Sequence, residues 1–187
     1  MASQFDSWES YFYPDTIDPD TGIGTLRNLY EERDARVLSR MEYTDTTVRA
    51  VQLGNGEVDV PRTFDGEHLR AIHRHLFQDV YEWAGEYRTV EMSKGPGRGF
   101  GEVRSGEVDR YLSDARQLVT STDWAKISRN DFVATASTVF AYVNQAHPFR
   151  EGNGRTSKVF MAHVAEQSPY RFDFARGRLP GACSNAL

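Results

Sequence analysis

Nine consecutive residues, His147 to Arg155 in HPFREGNGR, bring together an imidazole, a carboxylate, a Gly-Asn-Gly run and a guanidinium. These types at this spacing suit proton transfer beside a phosphate. An imidazole with an ordinary pKa near 6.5 can accept a proton at neutral pH, and a positioned general base contributes roughly 10²–10⁴-fold to a rate. Pro148 disfavours helix at His147, so a helix must end there. Helical patterning resumes at Arg155. Gly152, Asn153 and Gly154 therefore form a tight loop at a helix N-terminus. Such an end offers unpaired N–H groups and a partial positive charge, and glycines let the backbone approach a ligand closely. Together these features accept phosphate oxygens. Arg155 and Lys158, three apart, add cations to one face of the first turn. Glu151 is a hard oxygen ligand of the kind that holds Mg²⁺ against phosphates.

Each of these residues also has a plainer role open to it. Alone, His147 reads as a helix C-cap, Gly152 and Gly154 as turn residues, and Phe149 as a core anchor. Glu151, Arg155 and Lys158 alone would be solvated charges. It is the joint arrangement of base, acid, Gly-X-Gly and cation in one corner that points to a site.

The elements that must position this corner are mostly helical. Residues 1–25 are rich in Asp, aromatics and turn formers and read as irregular. Apolar spacing then predicts a helix over 26–42, with a second short one to about 51. Gly54-Asn55-Gly56 makes a turn. A helix follows from Gly66, N-capped by Asp65, with Leu69, Ile72, Leu76, Val80 and Trp83 as its buried stripe and Gly85 at its end. "RTVEM" is β-capable and runs into a glycine-rich stretch, which predicts a hairpin or flap. A helix over 106–120 carries Glu107 and Asp109 in its first turn. The next, over 128–147, opens with capping-box spacing at Ser128 and Asp131 and turns Phe132, Ala136, Val139, Phe140 and Val143 inward. The last runs from Arg155 to Ser168.

The length of 187 residues favours one domain, and a hydrophobic fraction of 39% excludes wholesale disorder. Lys plus Arg is 22 and Asp plus Glu is 27, so 22 − 27 = −5, which argues against general nucleic-acid or membrane binding. The single cysteine, Cys183, has no internal partner for a disulfide or zinc site. With no signal-peptide pattern and no apolar run of about 18 residues, the expected location is the cytoplasm.

The stretch resembles the signature of the Fic family, His-x-Phe-x-(Asp/Glu)-Gly-Asn-Gly-Arg-x-x-Arg. His147, Phe149, Glu151, Gly152, Asn153, Gly154 and Arg155 match, and Lys158 stands in place of the last arginine. "LRAIHRHLFQDVYEWAGEYRTVEMSKG" is similar to the helix and flap that the family places upstream. The resemblance spans roughly residues 10–175, and we take 26–175 as the Fic domain and 176–187 as a tail.

The resemblance implies a mostly α Fic fold, a helical core with a small β-hairpin flap over the active site. It implies AMP transfer from ATP to a Tyr, Thr or Ser hydroxyl of a target protein. His147 would take the hydroxyl proton, Glu151 would bind Mg²⁺, and Gly152, Asn153, Gly154, Arg155 and Lys158 would hold the nucleotide phosphates. Met92, Ser93, Lys94 and Gly95 would dock an extended segment of the target by strand addition. Lysine at 158 keeps the charge but loses the bidentate fork. The family's inhibitory pattern, (Ser/Thr)-x-x-x-Glu-(Gly/Asn), has its nearest match at Thr63 to Glu67, but His68 follows. The expectation is therefore a toxin or effector restrained by a separate small antitoxin that carries that helix. DNA gyrase or topoisomerase IV is the preferred target by analogy, with small GTPases as the other candidate, and secretion into a host cell is compatible with an effector role. Two other functions stay open: phosphate transfer, against which Gly154 speaks, and a degenerate domain that binds without turnover. His68, His73, His75 and His163 read as structural or surface residues.

Overall fold

The computed structural model describes residues 5–93 and 99–174. Five α-helices build the described residues: α1 (Ala35–Gly54), α2 (Gly66–Phe77), α3 (Glu107–Ser121), α4 (Arg129–Ala146) and α5 (Asn153–Ala165). α3 packs along α4, while α5 lies against both α4 and α2, and α1 closes over α2. Phe77, Phe149 and Phe160 are fully buried where these helices meet. Burying each such ring contributes about 1.5–3 kcal/mol.

The helix starts follow local capping chemistry. Asp34 accepts from the N–H groups of Arg36 and Val37, Asp65 from that of His68, and Ser128 from that of Asp131. Each such cap contributes about 1 kcal/mol. The sequence and the structure diverge at the first predicted helix. Residues 26–34 are not helical, and one helix, Ala35–Gly54, replaces the two expected. Asn28 explains this: its side-chain amide donates to the carbonyls of Leu26 and Glu32 at 2.8 and 2.7 Å and accepts from the Glu32 N–H at 3.0 Å. Glu31 sits at φ 57° inside that turn. A side chain that serves the backbone this well competes with helix.

α2 ends at Phe77, earlier than expected, and successive turns carry Val80 and Trp83 into the core. Gly85, at φ 85°, closes these turns. α5 begins two residues before Arg155. Phe140 is exposed rather than on the inner face of α4. Among the described residues no β-ladder forms where the hairpin was expected; one backbone–backbone bond joins the two sides, Phe100 N–H to the Met92 carbonyl at 3.0 Å. Lys94 and Gly95 lie outside the described residues. No described helix is long and apolar enough to cross a membrane.

Candidate active site

α4 stops because His147 adopts the left-handed conformation, φ 42° and ψ 58°, as its C-cap, and Pro148 follows. Its N–H still reaches the Val143 carbonyl at 3.2 Å. The plainer role of His147, a helix C-cap, is therefore the one the backbone shows. A non-glycine residue held in this conformation costs about 1–3 kcal/mol, so the surroundings must enforce it. Phe100 is part of them: its ring stacks on the imidazole at 3.6 Å between centroids, with planes 10° apart.

The loop from His147 to α5 is sealed from within. Phe149 is buried and stacks on His73 at 3.9 Å. Asn153 accepts from the Phe149 N–H at 2.9 Å and donates to the Phe149 carbonyl at 2.7 Å. Its side chain is therefore a staple for the loop, and only its backbone N–H is offered outward. His73 supports the same loop from below. Its Nδ1 accepts from the Gly85 N–H at 2.8 Å, so Nε2 carries the proton and donates to the Glu151 carbonyl at 3.1 Å. Burial pushes the His73 pKa down to about 3, which keeps this tautomer neutral.

α5 then opens with no side-chain cap, because Gly152 is the N-cap at φ 78°. The first-turn N–H groups of Asn153, Gly154 and Arg155 have no carbonyl four residues back to bond, which is the condition for an anion hole. Gly154 is exposed, and nothing lies within 4 Å of where a Cβ would stand. There is room for a ligand against the backbone. Glu151 is half-exposed and accepts from the Gly152 N–H at 2.9 Å.

The two cations differ. Lys158 is exposed. Arg155 is drawn inward: its guanidinium is bonded to the Glu42 carboxylate and to Thr46 Oγ1 at 3.1 Å, and it lies over the Phe77 ring at 4.8 Å. The Glu42 carboxylate also accepts the Tyr81 hydroxyl. Arg155 sits 3.7 Å from Glu151. Any phosphate that reached Arg155 would compete with a buried carboxylate.

Among the described residues no three His, Cys, Asp or Glu side chains converge as a metal cage. One half-exposed carboxylate, Glu151, beside a phosphate-accepting helix end nevertheless fits Mg²⁺. That ion takes one or two carboxylates plus substrate phosphates and keeps several waters.

The structure thus gathers His147, Glu151, Gly152, Asn153, Gly154, Arg155 and Lys158 in one corner, with Met92 and Ser93 on the segment that leads to it. It adds Glu42, His73, Phe77 and Phe100, which sequence reasoning did not assign to the site. Glu42 carried a legible signal. It lies four residues from both Leu38 and Thr46 on the buried side of α1, and an acid on that side needs a buried cation. His68 and His163, expected as structural or surface residues, bond each other at 2.9 Å between α2 and α5.

A family model described as Fic/DOC family matches residues 63–165. The chain is 36% identical over 156 residues to the probable protein adenylyltransferase y4lH of Sinorhizobium fredii, covering 81% of this chain and 76% of that protein. It is 33% identical over 160 residues to the protein adenylyltransferase VbhT of Bartonella schoenbuchensis, covering 85% of this chain. The chain spans about a third of VbhT, 32% of its length. Among solved structures, the BepC protein of Bartonella tribocorum with bound AMPPNP superposes with a TM-score of 0.76 at 26% identity, over 91% of this chain and 83% of that one.

Proposed function

The chain belongs to the Fic/DOC family, and from that membership we propose that it is a protein adenylyltransferase, moving AMP from ATP to a hydroxyl of a target protein. One observation carries the reading. A loop closed by the Asn153–Phe149 pair holds an imidazole at the end of α4 and an uncapped N-terminus at the start of α5. In the reaction, the target oxygen attacks the α-phosphorus in line. The new O–P bond forms as the bond to the bridging oxygen breaks, pyrophosphate leaves, and the hydroxyl proton passes to His147. The first-turn N–H groups of α5 and Lys158 stabilise the phosphate charge by fixed dipoles and a cation. Glu151 would hold Mg²⁺, which when bound neutralises phosphate charge. Met92 and Ser93, with Lys94 and Gly95 beyond them, would align the target chain.

Two features support the finer reading. Relatives are named protein adenylyltransferases, and the nucleotide in BepC is an ATP analogue. We further propose that a separate small antitoxin restrains the chain, and we place the chain's action in a cytoplasm, its own or a host's. A type II topoisomerase is the preferred target, with a small GTPase as the alternative. Lys158 favours a second reading, a domain that binds nucleotide with weak turnover.

The test is incubation with bacterial lysate, Mg²⁺ and ATP labelled at either the α or the γ phosphate. We expect a protein band labelled from the α position only, and lost in His147→Ala. Label from the γ position would mean phosphate transfer. Nucleotide binding without label would favour the second reading.

A further inference from the structure

Arg88 serves none of the steps above, yet its side chain is fully buried, at 0% exposure. A guanidinium is costly to bury unless its donors are met. Here Nε donates to the His147 carbonyl at 2.8 Å and Nη1 to the Val90 carbonyl at 2.6 Å. Nη2 donates to the Gly101 carbonyl at 2.5 Å and the Ala146 carbonyl at 3.4 Å. The Glu91 carboxylate, 3.6 Å away, balances the charge.

Backbone bonds converge on the same place. The Arg88 N–H reaches the Pro148 carbonyl at 2.8 Å, and the Gly101 N–H reaches that of Gln145 at 2.7 Å. The Gln145 amide donates to the Gly99 carbonyl at 2.9 Å. One side chain therefore ties both stems of the flap segment to the C-terminal end of α4. Helix ends leave such carbonyls unpaired. Four carbonyl oxygens aimed at one dry point repel one another, and a planar cation with five donors satisfies them where a lysine cannot.

The tie extends to the reacting group. Arg88 holds the His147 backbone on one side. On the other it holds Gly101, whose neighbour Phe100 stacks on the His147 ring. We infer that Arg88 is a positioning residue for AMP transfer, locking the flap stems and the His147 imidazole into one register so that the docked target meets its base. The inference rests on the transferase reading. Arg88 reaches none of the residues proposed to hold ATP.

Arg88→Lys keeps the charge and removes the fork. In the unaltered protein the His147 ring protons should be shifted upfield by the Phe100 ring. In the variant they should move toward the free-histidine position. Transfer should fall on the order of 100-fold, as for a misplacement of about 1 Å, while ATP affinity by titration stays unchanged. A variant that keeps both the ring shift and the transfer overturns the inference. So does one that keeps its helicity but loses ATP binding together with transfer. Amide exchange in the unaltered protein decides the matter if the variant does not fold. Phe100, Gly101, Arg88 and His147 should open together, and rates implying opening constants more than about tenfold apart would show separate units and refute the coupling. If the unaltered protein transfers no AMP at all, the transferase reading fails, and the ring shift and exchange still judge the tie itself.

Discussion

Gly152→Ala is the sharpest perturbation of the phosphate corner. Gly152 sits at φ 78°, and an added Cβ would lie 2.2, 2.4 and 3.0 Å from three carbons of the Phe77 ring. The backbone cost of a left-handed alanine is about 1–2 kcal/mol. Phe77 is fully buried and cannot swing away, so overpacking adds about 1–3 kcal/mol. The sum, about 2–5 kcal/mol, is a large part of a typical stability of 5–15 kcal/mol. The N–H groups of Asn153, Gly154 and Arg155 follow Gly152 directly, so ATP affinity should fall as well. Urea unfolding followed by circular dichroism measures the first effect, and nucleotide titration the second. Phe77→Ala separates the two causes, because in the double variant only the backbone share remains. The steric share, about 1–3 kcal/mol, should return as a coupling energy. A Gly152→Ala protein within about 0.5 kcal/mol of the original, or strict additivity with Phe77→Ala, would refute the reasoning.

Three further outcomes follow from named contacts. Burial pushes the pKa of His68 down to about 3 and that of His163 to about 4, from an ordinary 6.5. The unfolded chain therefore binds more protons below pH 6.5, so stability should hold above that pH and decline as pH falls toward 4; a thermal midpoint flat from pH 7 to 4 would contradict the buried pair. Glu42→Gln removes the charge partner of Arg155, and with side-chain exposures of 10% and 31% the loss should be about 1–3 kcal/mol in urea unfolding. An unchanged midpoint would mean that Arg155 already faces solvent. Lys158→Arg should tighten ATP binding about fivefold, the effect of one added hydrogen bond of about 1 kcal/mol; no change on titration would mean that position 158 does not reach the phosphates.

Local chemistry made much of this protein legible in one dimension. Asp65 and Ser128 are caps whose acceptors serve N–H groups three residues ahead, so α2 and α4 start where the letters say. Pro148 ends α4 by a clash with its own neighbour, and the Gly152–Gly154 run marks the approach to α5. The stripe Leu69, Ile72, Leu76 is buried as its period requires. The same periodicity misled at 26–34, because Leu26, Leu29 and Tyr30 are spaced like a helix while Asn28 binds the backbone into a turn. It misled again at Phe140, since an apolar residue at helical spacing is not obliged to face the core.

By itself, then, the sequence determined the corner: an imidazole, a glycine-permitted loop and a charged first turn, all within twelve residues and fixed by short-range geometry. What each group is able to do was decided by partners far along the chain. Arg155 is drawn to Glu42, 113 residues away. The Glu151 carbonyl is held by His73, 78 residues away, and that of His147 by Arg88, 59 residues away. No spacing rule reaches these distances. They exist because buried polar groups must be paired, and only the packed helices determine which donor meets which acceptor.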